Sequence, residues 1–116
     1  MSQATDGWIG VDLDGTLARS EEWKGSEHIG EPIPAMVGRV QVWLSEGRDV
    51  RIFTARANGA TAKALAAIDL WCIEHIGETL PVTYEKDFLM VALYDDKAIQ
   101  VVHNTGQLVG EAHDAI

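Results

Sequence analysis

A chain of 116 residues, 47% hydrophobic and 23% charged, has the size and composition of one globular domain and no room for a second. Its formal net charge of -9 disfavours long nucleic acid as a partner, although its nine Lys and Arg residues can still hold one phosphate. Cys72 is the only cysteine, which excludes an intrachain disulfide. The first residues lack a signal-peptide core, and no run approaches the ~20 apolar residues of a membrane span. We therefore expect a soluble, cytoplasmic protein without a membrane partner.

The first half of the chain predicts one strand, one loop and one helix. Residues 8–11 form a short apolar run that stops at an acidic loop, which is typical of a buried strand. The polar segment 18–34 is interpreted as a flap loop. Pro34 is suited to the first turn of a helix, where its missing N–H does no harm. The apolar residues of that helix recur at helical spacing before a stop at Gly47, and they are Val37, Val40 and Leu44.

The second half predicts another strand, a helix and three more short strands. A strand is expected over residues 50–53, and Asn58 is the expected N-cap of the helix that follows. That helix should bury the stripe Leu65, Ile68, Cys72 and Ile76 and end at Gly77. The remaining strands are expected over residues 81–84, 91–94 and 99–102, with a small hairpin through residues 104–109.

Strands that alternate with helices predict an α/β fold of the three-layer, Rossmann-like kind with a mostly parallel sheet. In such sheets, ligands bind beyond the carboxyl ends of the strands. The segments that follow strands one, two and four should therefore carry the chemistry. They are residues 12–16, 54–56 and 95–97.

The first of these segments, Asp12-Leu13-Asp14-Gly15-Thr16, places two carboxylates at one strand end. Their mutual repulsion is usually compensated by a divalent cation, and Mg²⁺ prefers oxygen ligands while keeping several waters. A calcium-binding EF-hand loop requires glycine at its sixth position, whereas Gly15 is the fourth, so we reject that interpretation. A solvated acidic turn remains the alternative when this motif is considered alone.

The later segments supply groups for phosphate and metal. The hydroxyl and backbone N–H groups of Thr54-Ala55-Arg56 can bind phosphate oxygens, although a plain strand-to-helix turn would look the same. Lys86 could neutralise phosphate charge, although a single lysine in a charged run is usually solvated. The adjacent carboxylates Asp95 and Asp96 directly follow an apolar strand, which is costly without a cation.

Taken together, the Asp-x-Asp-Gly-Thr motif, the strand that ends at Thr54, Lys86 and the Asp95-Asp96 pair resemble the haloacid dehalogenase (HAD) superfamily of phosphohydrolases. The resemblance extends over about residues 8–102. The resemblance implies that Asp12 is a nucleophile that forms an aspartyl-phosphate. It implies that Asp14 is the general acid and base, whose backbone carbonyl would also contact magnesium. It implies further that Thr54 and Lys86 position the phosphate.

The same resemblance implies a magnesium site completed by an acidic pair. The metal-site residues that it implies are Asp12, Asp14, Asp95 and Asp96. Asp96 is our preferred direct ligand within the pair, because the Asp-Asp-Lys sequence resembles the Asp-Asp-Arg of polynucleotide 3′-phosphatase domains.

Relatives in this superfamily often carry a cap domain, and the 18–34 flap is too short to form one. We therefore expect one capless domain over residues 1–116, with an open site for a phosphorylated substrate. A larger substrate such as a nucleic-acid 3′ end, or a second copy in a homo-oligomer, could cover that site, with Trp23 as the apolar contact.

Two other functions remain open. A non-enzymatic phospho-accepting receiver or regulatory domain also combines acidic residues, Thr and Lys, but Gly15-Thr16 after the paired aspartates favours a hydrolase. A polynucleotide 3′-phosphatase is the enzymatic rival. The Asp-Asp-Lys sequence favours that rival, and the net charge opposes it.

Overall fold

The computed structural model describes residues 6–110 as a parallel sheet combined with helices. The elements are β1 (Trp8–Asp12), α1 (Pro34–Ser45), β2 (Asp49–Phe53), a 3₁₀ turn (Ala55–Ala57), α2 (Ala62–His75), β3 (Val82–Thr83) and β4 (Met90–Tyr94). The strands follow the spatial order β3-β2-β1-β4, and every neighbouring pair is parallel. This confirms the predicted α/β, Rossmann-like fold.

Local sequence explains where the helices begin and end. Pro34 occupies the first turn of α1, as predicted, because its fixed φ suits that position. Past the end of α1, Gly47 adopts a φ of +79°, which a side chain would make costly. The N-cap of α2 is Thr61, whose hydroxyl accepts a hydrogen bond from Ala64 N–H at 3.1 Å.

The core lies between the sheet and the two helices. Alternate residues of β1 and β2 point into it, so that each strand contributes two buried aliphatic side chains. The opposite face of these strands carries Trp8, which stacks on Phe53 and lies under the guanidinium of Arg51. The core residues of the strands and helices include Ile9, Val11, Val50, Ile52, Val37, Val40, Ile68, Trp71 and Cys72.

Three predicted details are wrong. The expected fifth strand over 99–102 is reduced to a single antiparallel bridge between Val101 and Leu108, because the turn through Asn104 folds this segment back on itself instead of onto the sheet. Asn58 does not cap α2, because the 3₁₀ turn delays the helix. Leu65 is 38% exposed, since the buried stripe of α2 runs through Ala64 instead.

No helix in the described part of the chain has both the length and the apolar character needed to cross a bilayer.

Candidate functional site

The parallel register brings three predicted segments to one edge of the sheet. Asp12, the last residue of β1, lies opposite Phe53 at the end of β2, and Val11 lies opposite Tyr94 at the end of β4. Thr54 and the Asp95-Asp96 pair follow directly after the ends of β2 and β4. The carboxyl edge of the sheet therefore gathers these side chains around the end of its central strand.

A cavity of about 660 Å³ opens at this edge. Its lining combines acidic groups, residues of the 3₁₀ turn after β2 and aromatic side chains. Its lining residues are Asp12, Asp14, Trp23, Phe53, Thr54, Ala55, Arg56, Asn58, Tyr84, Asp95 and Lys97.

Three carboxylates form a compact oxygen cluster in the site. Asp12, Asp95 and Asp96 each offer an oxygen, and these atoms all lie within 4.8 Å of one another. Thr16 Oγ1 lies 3.2 Å from Asp96 Oδ1 and 3.4 Å from Asp12 Oδ2, and so it bridges two of the three. Gly15 has a φ of +92°, and a Cβ on it would meet Asp96 Oδ2 at 2.6 Å. The glycine of the motif therefore suits the turn, and a side chain in its place would force the Asp96 carboxylate to shift.

Burial and neighbouring charge raise the pKa of Asp12 to about 7. Burial is the largest cause, followed by the hydrogen bond with Asp96 and the negative charges of Asp95, Asp96 and Asp14. The hydrogen bond with Asp12 lowers the pKa of Asp96. The pair therefore retains a proton near neutral pH, and a divalent cation could take the place of that proton. The three-carboxylate donor set fits magnesium.

Asp14 points to a different partner. Its two oxygens accept hydrogen bonds from Arg56 Nε and Nη2, both at 2.8 Å, in a bidentate ion pair. The carboxylate of Asp14 is therefore not part of the three-carboxylate cluster that could hold a metal. The bidentate geometry fixes the orientation of this carboxylate beside Asp12.

The turn after β2 occupies the position expected for phosphate binding. Thr54 is 2% exposed and lines the cavity, and its Oγ1 accepts a hydrogen bond from Arg56 N–H at 3.1 Å. Ala55 also lines the cavity. The backbone N–H of Arg56, which we expected to be open to phosphate, therefore donates within the turn, and the Arg56 side chain is directed at Asp14.

The structure does not bring Lys86 together with the other predicted site residues. Lys86 is exposed and lines a separate shallow depression with Asp87 and Phe88. Asp87 is held by Trp8, whose Nε1 donates to it at 2.8 Å. The lysine that does line the main cavity is Lys97, which directly follows the acidic pair. Residues 95–97 follow a predicted strand, where ligands of parallel sheets bind, and this position is the sequence signal that could identify Lys97 as a site residue.

The flap lies against the same site. Its base is closed by a hydrogen bond from Arg19 N–H to Glu31 O at 2.8 Å. Trp71 Nε1 of α2 donates to Gly30 O at 2.9 Å and ties the base to the domain. Between β1 and α1 the described chain has isolated bridges and no helix or strand, which agrees with the predicted loop.

Comparisons with known proteins provide a fold and no activity. No protein-family model and no curated protein matches this sequence. The structure is similar to that of a conserved protein from Bacteroides thetaiotaomicron, with a TM-score of 0.59 and 20% sequence identity over 79% of this chain and 77% of that chain. At this identity the likeness shows a shared fold alone.

Proposed function

We propose that this chain is a magnesium-dependent phosphomonoester hydrolase with Asp12 as its nucleophile. The observation that carries the proposal is the placement of Asp12 in the wall of an open cavity, within ligand distance of Asp95 and Asp96 and two residues from a second oriented carboxylate. The resemblance of the sequence motifs to the HAD superfamily supports the same reaction.

The proposed reaction has two steps. A carboxylate oxygen of Asp12 attacks the phosphorus, the bond between phosphorus and the leaving oxygen breaks, and Asp14, which enters this step protonated, gives its proton to that oxygen. Asp14 then takes a proton from a water molecule. The oxygen of that water attacks the phosphorus and breaks its bond to Asp12, which releases inorganic phosphate and restores the carboxylate of Asp12 and the protonated form of Asp14.

Positioning and neutralisation of charge are the main demands of phosphoryl transfer. Magnesium held by Asp12, Asp95 and Asp96 would supply positive charge to the phosphate and the nucleophile. Lys97 lines the same cavity and is a cation available to phosphate oxygens there. Thr54 contributes a buried hydroxyl at the carboxyl end of β2.

Hydrolysis of 4-nitrophenyl phosphate tests the proposal. Activity should require magnesium and disappear in excess chelator, and calcium should support little turnover because its looser coordination misplaces the reacting groups. Asp12→Asn should abolish both turnover and the acid-stable, hydroxylamine-sensitive phosphoenzyme. Asp49→Asn, which changes a carboxylate at the opposite end of β2, is the matched control and should leave both unchanged.

Three outcomes would contradict the proposed mechanism. Full turnover by Asp12→Asn, or full activity in chelator, would remove the nucleophile or the metal from the mechanism. A phosphoenzyme that forms on Asp12 but persists for hours without releasing phosphate would instead indicate a phospho-accepting regulatory domain.

A further inference from the structure

Arg56 joins the flap to a carboxylate of the site. Its Nε and Nη2 donate to Asp14 at 2.8 Å, and its Nη1 donates to Ser26 O in the flap at 3.1 Å. The guanidinium carbon also lies 4.8 Å from the ring centroid of Trp23, as in a cation–π contact. The Arg56 side chain itself is 8% exposed.

The flap tip, defined as residues 20–28, depends on this arginine. Within residues 6–110, its only hydrogen bond to a residue outside the flap is the one from Arg56 to Ser26. The flap base has separate contacts, through Arg19 with Glu31 and through Trp71 with Gly30. Loss of the Arg56 side chain should therefore release the tip and leave the base attached.

Arg56, Asp14 and Trp23 also form a wall that is shared by two cavities. Asp14, Trp23 and Arg56 line both the main cavity and a second one of about 180 Å³ under the flap. Trp23 is 65% exposed and lines the same cavity as Asp12, so its ring is open to contact with a leaving group in that cavity. A group that packs on Trp23 would thus contact the residue that lies against Arg56, and Arg56 in turn holds Asp14.

We propose that Arg56 is a positioning residue that couples the flap tip to Asp14, so that contact between a leaving group and Trp23 helps to place the proton-transferring carboxylate. The inference rests on the proposed hydrolase activity and deepens it. It assigns Arg56 a role toward Asp14 and the flap, in place of a direct contact with phosphate. It favours phosphomonoesters whose alcohol carries an apolar or aromatic group large enough to reach Trp23.

The position of Asp14 matters only when the leaving oxygen needs a proton. Benzyl phosphate releases a strongly basic alkoxide unless it is protonated, whereas 4-nitrophenyl phosphate releases a stable anion without a proton. The two esters have similar size and an aromatic ring. Comparison of their first-turnover release, before the phosphoenzyme is hydrolysed, isolates the step in which Asp14 acts as an acid.

The test compares Arg56→Met with wild type and with Arg51→Met. Arg51 is a matched control, because it also pairs with an aspartate, Asp49, and lies over a tryptophan, Trp8, outside the site. Arg56→Met should slow first-turnover release from benzyl phosphate at least tenfold and from 4-nitrophenyl phosphate less than threefold, with KM little changed. Arg56→Lys should recover only part of the loss, because an ammonium cannot form the bidentate pair.

A second readout does not depend on activity. Arg56→Met should accelerate tryptic cleavage after Lys24 in the flap tip at least fivefold in native buffer, and Arg51→Met should not. Urea unfolding midpoints of both variants would show that cleavage reports release of the tip and not global unfolding.

Different results would separate the two proposals. A wild-type protein that hydrolyses neither ester would overturn the hydrolase itself. If the wild type is active but Arg56→Met slows both esters equally, the coupling role alone would be overturned. A rise in KM for both esters would also overturn it and would indicate that Arg56 binds phosphate. Unchanged cleavage at Lys24 would also count against the coupling.

Discussion

Replacement of Asp12 by Asn should stabilise the metal-free protein, although it should also abolish activity. Burial and the neighbouring carboxylates raise the pKa of Asp12 from 3.8 to about 7, so the folded state holds a proton that the unfolded chain releases between these values. Stability due to this group is therefore greatest at low pH, falls as pH rises from about 4 to 7, and reaches its minimum above 7. Asn carries no charge and avoids this loss.

The size of the effect follows from the shift. A difference of roughly three pH units at about 1.4 kcal/mol each would give about 4 kcal/mol for an isolated group. Two features of the site reduce that figure. The cluster is open to water, which screens its charges, and the pKa of Asp96 moves in the opposite direction. We expect a gain of about 1–2 kcal/mol for Asp12→Asn at pH 8.

Urea unfolding in chelator measures this gain. Asp12→Asn should unfold at higher urea than wild type at pH 8, and the two midpoints should converge toward pH 4. Saturating magnesium should reverse the order, because the ion stabilises only the protein that retains all three carboxylates. Asp49→Asn should show no such pH-dependent gain. A variant less stable than wild type at pH 8 in chelator would refute the claim that charge repulsion strains this site.

The remaining predictions concern the same cluster and its neighbours. Asp14→Asn should destabilise the fold by about 1–3 kcal/mol by urea unfolding, because it leaves the largely buried Arg56 without its partner; an unchanged midpoint would contradict the ion pair. Gly15→Ala should weaken magnesium binding at least tenfold by calorimetry, because a Cβ would displace Asp96; wild-type affinity would show that the approach is not required. Magnesium affinity of the wild type should rise with pH through about 7, because the ion displaces the proton of Asp12. Calorimetry in two buffers of different ionisation enthalpy would measure the proton release, and an affinity independent of pH would contradict the raised pKa.

The sequence by itself determined the fold class and the segments that meet at one edge of the sheet. Short apolar runs that alternate with helical patterns predict parallel strands, and the ends of those runs place Asp12, Thr54 and Asp95 at one edge. This inference succeeds because the positions depend on local features, namely where an apolar run stops and where a turn begins. Gly15 was recognised only as part of the motif over residues 12–16, and the structure adds that its φ is positive.

Only the tertiary structure decided which partners the long charged side chains select. Arg56 was expected to offer its backbone N–H to phosphate, with no partner predicted for its side chain, and the structure directs its guanidinium to Asp14, 42 positions away in the chain, and to the flap. Lys97, and not Lys86, lines the cavity. Flexible side chains of this length can reach several neighbours, and the neighbours are set by strand order and loop path. Local sequence specifies where an element ends, whereas the contacts across the sheet edge depend on how all the elements pack together.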